Sequence, residues 1–285
     1  MYGNNAYAYT LAHCDYSPSE LLQYILKNKS IQQSLCLFLD IDGTLSEFNR
    51  DPAQSFIPSD TLNTLQKILD INIPVIAITG RSVAVASALL RPLNLPIAGI
   101  HGLEIQLNPQ QEIRIAPNHI DFSVVQQDLY AACLPYPELR IENKTHAVAL
   151  HYRQCPQLAS MAKHISQQVQ SLHPALKINV GKYVYELLPQ GADKGQAIQT
   201  FLQHLKLAHV LPIFIGDDQT DESGFITINR YHGISIKVGT EATQARYRLQ
   251  DVRQVAEFLQ LLAQHLTASC KAQPPAPYGE KECLN

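Results

Sequence analysis

The chain has 285 residues, of which 46% are hydrophobic and 16% are charged, so it can bury a substantial core. Its net charge is −3, from 22 Lys and Arg against 25 Asp and Glu. That balance lacks the basic surface that nucleic-acid binding requires, and no run of about 18 apolar residues could span a membrane. We therefore expect neither nucleic acid nor a membrane as the partner.

The cysteines and the start of the chain indicate a compartment. The six cysteines form no CxxC pair and show no spacing typical of a metal site. No basic segment followed by an apolar run opens the sequence, so no secretory signal is predicted. A reducing, cytoplasmic location is expected.

The first part of the chain alternates between strands and helices. Residues 1–16 lack a clear period and are predicted to be a loosely attached lead-in before a helix that starts at Ser17. Residues 35–39 are apolar without alternation, which is typical of a strand buried on both faces of a parallel sheet. A helix, a strand, a helix and a strand follow at residues 57–69, 74–78, 83–90 and 97–100. This order predicts βαβ units and a core whose first part covers residues 17–104.

The pattern changes between residues 105 and 189. Segments 105–107 and 113–115 flank a short polar loop and are predicted to form a hairpin. Two helices and two half-polar strands are predicted at residues 122–134, 158–172, 147–152 and 183–188. We interpret residues 105–189 as an α/β cap inserted in the core.

The pattern of the core resumes at residue 190. A helix, two strands and a closing helix are predicted at residues 194–205, 212–215, 233–238 and 252–266. Residues 190–267 therefore form the second part of the core, and residues 268–285 are predicted to be a disordered tail. The predicted fold class is α/β, with a Rossmann-like parallel-sheet core and an inserted cap.

Four predicted core strands end in polar residues. In a parallel sheet the carboxyl ends of the strands share one edge, where open α/β folds bind their ligands. We expect these side chains to meet, because acidic residues tolerate such positions only when they are paired or metal-bound. The four groups are Asp40 with Asp42, Thr79-Gly80-Arg81, His101 with Glu104, and Asp217 with Asp218 and Asp221.

The two aspartates after the strand at residues 35–39 require a counter-charge. Side chains in a strand alternate with period two, so Asp40 and Asp42 are expected on the same side. Two carboxylates about 4 Å apart repel by roughly 4 kcal/mol at an effective dielectric of about 20, which favours a cation or a shared proton. Oxygen ligands favour Mg²⁺, and zinc is disfavoured because no His or Cys spacing accompanies them. The alternative is an ordinary Asp-Gly turn after a strand.

Two further residues would act on an anion. Thr79 would donate a hydroxyl hydrogen bond to phosphate oxygens, and Lys194 would supply a positive charge. Their alternatives are a Thr that caps a strand end and a Lys that is solvated at a helix start.

The order of the motifs makes the chain similar to a known superfamily. Asp-x-Asp-Gly-Thr, Ile-Thr-Gly-Arg, a lone Lys and Gly-Asp-Asp-x-Thr-Asp-Glu follow one another within residues 36–225. Together they resemble the haloacid dehalogenase superfamily of phosphotransferases. More narrowly, the chain resembles the trehalose-6-phosphate phosphatase family. The segments that carry this second resemblance are residues 98–104, 142–144, 151–153, 189–195 and 216–222.

The resemblance implies a phosphoaspartyl mechanism that uses Mg²⁺. Asp40 would be the nucleophile, and Asp42 would be first the general acid and then the base. Thr79 and Lys194 would hold the phosphoryl group. The metal ligands would be Asp40, the Asp42 backbone carbonyl, Asp217 and one or both of Asp218 and Asp221.

The resemblance also implies that the cap determines which sugar binds. The substrate-binding residues would be Gly80, Arg81, His101, Gly102 and Glu104 in the core and Glu142, Lys144, Arg153 and Glu186 in the cap. A disaccharide offers many hydroxyls, and buried charged partners reject analogues that leave them unpaired. Two alternatives stay open: Glu142 and Lys144 form a surface ion pair, and His151 packs structurally beside the cap sheet.

The implied reaction is the hydrolysis of trehalose 6-phosphate to trehalose and phosphate. A separate glucosyltransferase would supply the substrate, and we expect a monomer. The alternatives are a phosphatase for sucrose phosphate or a glycosyl phosphoglycerate, and a catalytically silent regulatory protein on the same fold.

Overall fold

The computed structural model describes residues 14–28, 35–49, 54–116, 119–205 and 210–272. Within these residues the chain forms a nine-stranded sheet, a four-stranded sheet and eight α-helices. The large sheet is the core and the small sheet belongs to the cap, which confirms the predicted α/β class.

The strands are β1 (Cys14–Asp15), β2 (Leu35–Leu39), β3 (Val75–Ile78), β4 (Ile97–Gly99), β5 (Glu104–Gln106), β6 (Arg114–Ile115), β7 (Arg140–Asn143), β8 (Val148–His151), β9 (Leu176–Gly181), β10 (Val184–Pro189), β11 (Leu211–Gly216), β12 (Ile234–Val238) and β13 (Tyr247–Leu249). The helices are α1 (Pro18–Asn28), α2 (Ser59–Asp70), α3 (Val83–Leu89), α4 (Phe122–Cys133), α5 (Ala159–Leu172), α6 (Lys194–His204), α7 (Glu222–Arg230) and α8 (Val252–Ala272). None of these helices is both long enough and apolar enough to cross a membrane.

The core sheet is mainly parallel. Its order is β1-β13-β12-β11-β2-β3-β4-β5-β6, and every neighbouring pair from β1 to β4 is parallel. β5 and β6 are antiparallel additions at one edge. β2 lies between β11 and β3, so the loops that follow these three strands meet at one place on the carboxyl edge.

The central strand is buried on both faces, as its apolar sequence predicts. Leu37 and Leu39 pack in a cluster with residues of α1, α2 and α8, whereas Phe38 packs in a second cluster with residues of α6 and α7. Alternate side chains of β2 therefore point into two different layers of helices. This burial holds the end of β2 rigidly at the carboxyl edge.

The cap is an antiparallel sheet in the order β7-β8-β10-β9, with two helices on one face. Tyr185 and Leu187 of β10 pack in a cluster with α4 and α5, and Glu186 between them points to the opposite face. The cap thus turns its charged face toward the core.

The structure changes the assignment of the hairpin. We predicted it as the beginning of the cap, but β5 pairs with β4 and β6 pairs with β5, so by sheet membership the hairpin extends the core. A hairpin pairs with whichever edge is free, and local sequence does not specify that edge.

Both ends of the chain also differ from the prediction. Residues 14–16, predicted to belong to a loose lead-in, are attached, because β1 pairs with β13 and the Tyr16 ring lies 5.6 Å from the Tyr24 ring. Residues 268–272, predicted to belong to a disordered tail, continue α8. The remaining residues of both predicted segments, 1–13 and 273–285, lie outside the described residues.

Candidate active site

A cavity of about 230 Å³ lies between the charged face of the cap and the carboxyl edge of the core sheet. Twelve predicted site residues line it, namely Asp40, Asp42, Gly80, Arg81, His101, Glu142, Lys144, Arg153, Glu186, Lys194, Asp217 and Asp218. The structure therefore brings together residues that lie up to 178 positions apart, from Asp40 to Asp218.

A tight loop places Asp40 at the floor of this cavity. Asp40 follows β2 directly, is 4% exposed, and its N–H donates to the Ile215 carbonyl at 3.0 Å. The chain then reverses at Gly43, which has φ +79°, and the Gly43 N–H donates to the Ser46 carbonyl at 2.8 Å. A Cβ atom at Gly43 would overlap the Asp217 carboxylate, so only glycine fits both the conformation and the space.

Lys194 lies beside Asp40 although 154 positions separate them. Its Nζ is 2.9 Å from Asp40 Oδ1 and 2.7 Å from Asp221 Oδ1, and its side chain is 2% exposed. The Asp193 side chain accepts from the Gln196 N–H at 2.8 Å, which caps α6 and fixes the position from which Lys194 projects. Burial alone would lower the pKa of Lys194, but the Asp221 and Asp40 carboxylates raise it above its ordinary value.

Three carboxylates form a compact acidic cluster. One oxygen each from Asp40, Asp217 and Asp221 lies within 4.8 Å of the others. Burial and the neighbouring carboxylates raise the pKa of Asp217 to about 8, and burial raises the pKa of Asp40 well above its ordinary value. Buried, mutually repelling carboxylate oxygens are the donor set that a hard divalent cation such as Mg²⁺ requires. The residues present therefore fit the metal.

The two remaining acidic candidates have different places. Asp218 lines the cavity, and its side chain accepts from the Gln219 N–H at 2.7 Å. Asp221 is fully buried below the cavity, where its carboxylate accepts from Lys194 and, at 2.9 Å, from the Asp218 N–H. Of these two residues, Asp221 is therefore the member of the acidic cluster, and its carboxylate oxygens already accept from two donors.

We expect the stability of the metal-free protein to fall as pH rises. The pKa of Asp217 is about 8 in the folded state, against about 3.9 for an unfolded Asp, so between these values the folded state binds more protons. Stability is then greatest at the acidic end of this window and is lost as pH rises through 8. Urea unfolding in EDTA from pH 5 to 8 measures the free energy of unfolding across this window. Saturating Mg²⁺ should make that free energy fall less steeply with pH, because the ion favours the ionised carboxylates.

Asp217→Asn is the control for that prediction. This substitution removes one titrating group, so the slope of the unfolding free energy against pH should become smaller by at most about 1.4 kcal/mol per pH unit. A slope in EDTA that is the same with Asp and with Asn at this position would contradict the titration of Asp217.

Asp42 is held by an arginine in a way that the sequence did not predict. Arg81 donates from Nε to Asp42 Oδ2 and from Nη2 to Oδ1, both at 2.6 Å, and from Nη2 to the Ser55 hydroxyl at 2.8 Å. Burial would lower the pKa of Arg81, but these contacts with Asp42 raise it. A carboxyl group that delivers a proton carries hydrogen on one oxygen, and both Asp42 oxygens here accept from Arg81. Each Asp42 oxygen has a second lone pair that could carry a proton, and opening one of these contacts would leave one oxygen wholly free for it.

Besides Asp221, three predicted residues of the core lie outside the cavity lining. Thr79 is fully buried, and its hydroxyl accepts from the Arg81 N–H at 3.2 Å, so it braces the turn after β3. Glu104 Oε2 accepts from the Val83 N–H at 2.7 Å and holds the first turn of α3. Gly102 packs against α6, where a Cβ would lie 2.9 Å from the Ala197 Cβ. The substrate contacts predicted for Gly102 and Glu104 and the phosphate contact predicted for Thr79 stay predictions.

The cap and the core are joined by a buried ionic network. His101 Nε2 lies 2.5 Å from Glu186 Oε2, and Lys144 Nζ contacts Glu186 Oε1 and lies 3.1 Å from the Gly80 carbonyl. His101 adopts the left-handed conformation with φ 55°, which directs its side chain toward the cap. Burial would raise the pKa of Glu186, but Lys144 and His101 hold it far below its usual range.

Two alternatives were left open for Glu142, Lys144 and His151, and the contacts of these side chains bear on both of them. Glu142 Oε2 pairs with His151 Nε2 at 2.7 Å, whereas the partner of Lys144 is Glu186, so Glu142 and Lys144 do not form the surface ion pair that was left open as an alternative. His151 lines the cavity instead of packing only behind the cap sheet.

One contact at the cavity was not predicted from the sequence. The Arg153 guanidinium lies 3.7 Å above the centre of the Phe48 ring and donates to the Asn49 carbonyl. Arg153 belongs to the cap and Phe48 to the loop after β2, so this is a second junction between the two parts. An apolar ring carries no chemistry of its own, and only its position four residues after Thr44 could have drawn attention to it.

Comparison with solved structures defines the class of protein. A haloacid dehalogenase-like hydrolase from Bacteroides thetaiotaomicron is similar in fold, with a TM-score of 0.57 at 18% identity over 81% of this chain and 100% of the other. The parallel core sheet and the cap agree with that fold. The chain has a haloacid dehalogenase-like fold.

The family follows from closer similarities. The family model for trehalose-phosphatase matches residues 38–253, which span both parts of the core and the cap. The trehalose-6-phosphate phosphatase of Escherichia coli K12 is 38% identical over 227 residues, covering 79% of this chain and 85% of that protein. The C-terminal domain of C. albicans trehalose-6-phosphate phosphatase has a TM-score of 0.78 at 22% identity, over 90% of this chain and 99% of the other. The chain belongs to the trehalose-phosphatase family.

Proposed function

We propose that this protein hydrolyses trehalose 6-phosphate to trehalose and inorganic phosphate. The observation that carries the proposal is the contact between Asp40 and Lys194, 2.9 Å apart at the floor of a cavity that the cap closes. A carboxylate nucleophile and an ammonium group at that distance can act on the same phosphoryl group. Membership of the trehalose-phosphatase family supports the choice of sugar.

The reaction would proceed in two displacements. Asp40 attacks phosphorus, the bond from phosphorus to the sugar oxygen breaks, and Asp42 protonates that oxygen, which leaves as trehalose. A water molecule then gives its proton to Asp42 and attacks the phosphoaspartate, which releases phosphate and restores Asp40. Lys194 offsets negative charge on the phosphoryl oxygens in both steps.

Arg81 acquires a role in that sequence. Both Asp42 oxygens accept from Arg81, and release of either one would give Asp42 an oxygen free to carry the proton. An incoming phosphate is an alternative acceptor for the guanidinium, which forms bidentate contacts with such oxygens. Substrate binding would thereby free Asp42 at the time it must carry a proton.

The acidic cluster would hold Mg²⁺ through Asp40, the Asp42 backbone carbonyl and Asp217, with Asp221 behind them. When bound, the ion supplies positive charge that offsets the phosphoryl oxygens and the repulsion among the carboxylates. Asp218 lines the cavity on the same side as a further candidate.

The sugar would be recognised by the charged face of the cap. Glu142, Lys144, Arg153 and Glu186 line the cavity opposite the nucleophile, and their oxygens and N–H groups suit the hydroxyls of a disaccharide. A buried charged group that loses its partner is costly, so an analogue that leaves one unpaired should bind poorly.

The test is a panel of phosphate esters with Mg²⁺, in which released phosphate is measured. The value of kcat/KM for trehalose 6-phosphate is expected to exceed those for sucrose 6-phosphate and glucosyl phosphoglycerate by about a hundredfold or more. Faster cleavage of either alternative would overturn the choice of sugar and leave a capped sugar phosphatase.

Glu142→Gln should raise KM for trehalose 6-phosphate and leave the cleavage of p-nitrophenyl phosphate, which has no sugar, unchanged.

The silent alternative is disfavoured by the residues present. A regulatory protein on this fold has no need of Asp40, Asp42 and Lys194 together at one cavity, and this chain has all three. We further propose a monomer in the cytoplasm whose substrate comes from a separate glucosyltransferase.

A further inference from the structure

A buried lysine lies behind the acidic cluster, on the side away from the cavity. Lys237 is in β12, where it pairs in register with Gly216 of β11, and it is 2% exposed. A lysine this buried is rare unless its charge is matched. It is not among the residues that line the cavity.

The ammonium group of Lys237 has three acceptors. It donates to the Asp217 main-chain carbonyl, to the Val238 carbonyl at 2.9 Å and to Glu241 Oε2 at 3.2 Å. A lysine has three N–H donors, so these contacts use all of them. Lys237 therefore has no donor left for a substrate and acts on the site only through the residues it binds.

The loop that supplies these acceptors is itself fixed. Arg248, which is 6% exposed, donates from Nη2 to the Glu241 carbonyl at 2.9 Å and from Nη1 to the Gly239 carbonyl. Gly239 has φ +96°, and a Cβ there would lie 2.9 Å from Glu241 Oε2, so glycine allows the carboxylate to approach Lys237. The lysine is therefore anchored, and its bond to Asp217 restrains the main chain of that residue.

Asp217 is thus held from two directions. Its carboxylate packs closely against Gly43 in the loop that carries Asp40 and Asp42, and its carbonyl is bound by Lys237. We propose that Lys237 is a positioning residue, which sets the affinity of the acidic cluster for a divalent cation by fixing the Asp217 main chain. This inference rests on the proposed role of Asp217 as a metal ligand.

Loss of the positioning by Lys237 and loss of its charge would change the metal affinity in opposite directions, so the inference can be tested. Lys237 is a positive charge next to a cation site, so removing the charge alone would strengthen metal binding. Removing the restraint on Asp217 weakens metal binding, because partners that orient a ligand contribute about 10- to 100-fold to metal affinity. A loss of affinity in a neutral variant is therefore opposite to the direct effect of the lost charge on the cation and is the result expected from lost positioning.

The experiment titrates Mn²⁺ alone into the full-length protein and measures free Mn²⁺ by electron paramagnetic resonance. Lys237→Met should weaken binding about tenfold or more. Lys163→Met removes the same charge from an exposed position on α5 in the cap and should leave the affinity within about twofold, since distant exposed charges are screened. Unchanged or tighter binding by Lys237→Met would overturn the inference.

Two further variants separate the possible failures. Asp217→Asn should abolish the binding, and if it binds Mn²⁺ like the wild type, the proposed metal site itself is wrong. Lys237→Gln keeps a polar donor that ends one bond short of the Lys ammonium, so it is the variant to use if Lys237→Met does not fold. The same direction of change is expected, with thermal unfolding in EDTA as the check that the variant is folded.

Discussion

Asp40→Asn is expected to lower kcat for trehalose 6-phosphate by about 10⁴-fold or more, since loss of a covalent nucleophile removes most of the rate enhancement. The amide is the same size as the carboxylate but has no charged oxygen to attack phosphorus. Its carbonyl can still accept from Lys194, which contacts Asp40 at 2.9 Å, so the geometry of the floor is preserved. Phosphate release under saturating Mg²⁺ measures the change.

The stability of this variant distinguishes a chemical effect from an unfolded protein. Burial raises the pKa of Asp40 well above its ordinary value, so its ionised form is unfavourable in the metal-free fold. A neutral side chain at this position should therefore leave the urea midpoint in EDTA at pH 8 unchanged or higher.

Rapid acid quench with labelled substrate should trap a phosphorylated wild type and no phosphorylated variant. Activity within tenfold of wild type would refute the phosphoaspartyl mechanism.

Lys194→Met is expected to damage both stability and catalysis. Lys194 neutralises two carboxylates, Asp40 and Asp221, in a place where its own side chain is 2% exposed. Breaking a buried pair leaves an uncompensated charge and costs about 3–5 kcal/mol. Loss of a donor that stabilises transition-state charge costs a further factor of about 10²–10³ in kcat. Urea unfolding in EDTA at pH 8 and phosphate release at saturating Mg²⁺ measure the two effects.

Conditions that supply positive charge should rescue the stability of Lys194→Met. Protonation of Asp40 at pH 5 or addition of Mg²⁺ should reduce the loss, because either one lowers the repulsion between Asp40 and Asp221. Lys163→Met on the cap serves as the control and should stay within about 0.5 kcal/mol of wild type, as exposed substitutions usually do. An equal loss of stability at pH 5 and at pH 8, with and without Mg²⁺, would show that packing rather than charge is responsible.

The residues at the floor of the cavity could be predicted from the sequence, because they follow buried strands. The apolar residues 35–39 identify β2, and the rule that parallel strands end at one edge then brings Asp40 and Asp217 together. Both facts depend on local pattern and on the geometry of a parallel sheet, so no distances were needed. The cap helices were found in the same way, from their helical period.

Several elements were missed for identifiable reasons. β7 has the sequence Arg-Ile-Glu-Asn and β13 has three residues, so neither carries a long enough apolar alternation to stand out. α7 begins directly after the 3₁₀ turn that ends at Asp221, and its start is hidden in an acidic motif. The hairpin of β5 and β6 was recognised, but its partner strand was not.

The sequence by itself determined the class of fold, the buried central strand and the set of aspartates at its end, because these follow from local periodicity and from spacing. The tertiary structure alone decided the pairings: Arg81 with Asp42, His101 with Glu186, and Lys237 with Asp217. Each joins groups that are between 20 and 85 positions apart. The strength of a charged contact depends on distance and burial, and those two quantities are set only when the whole chain has folded.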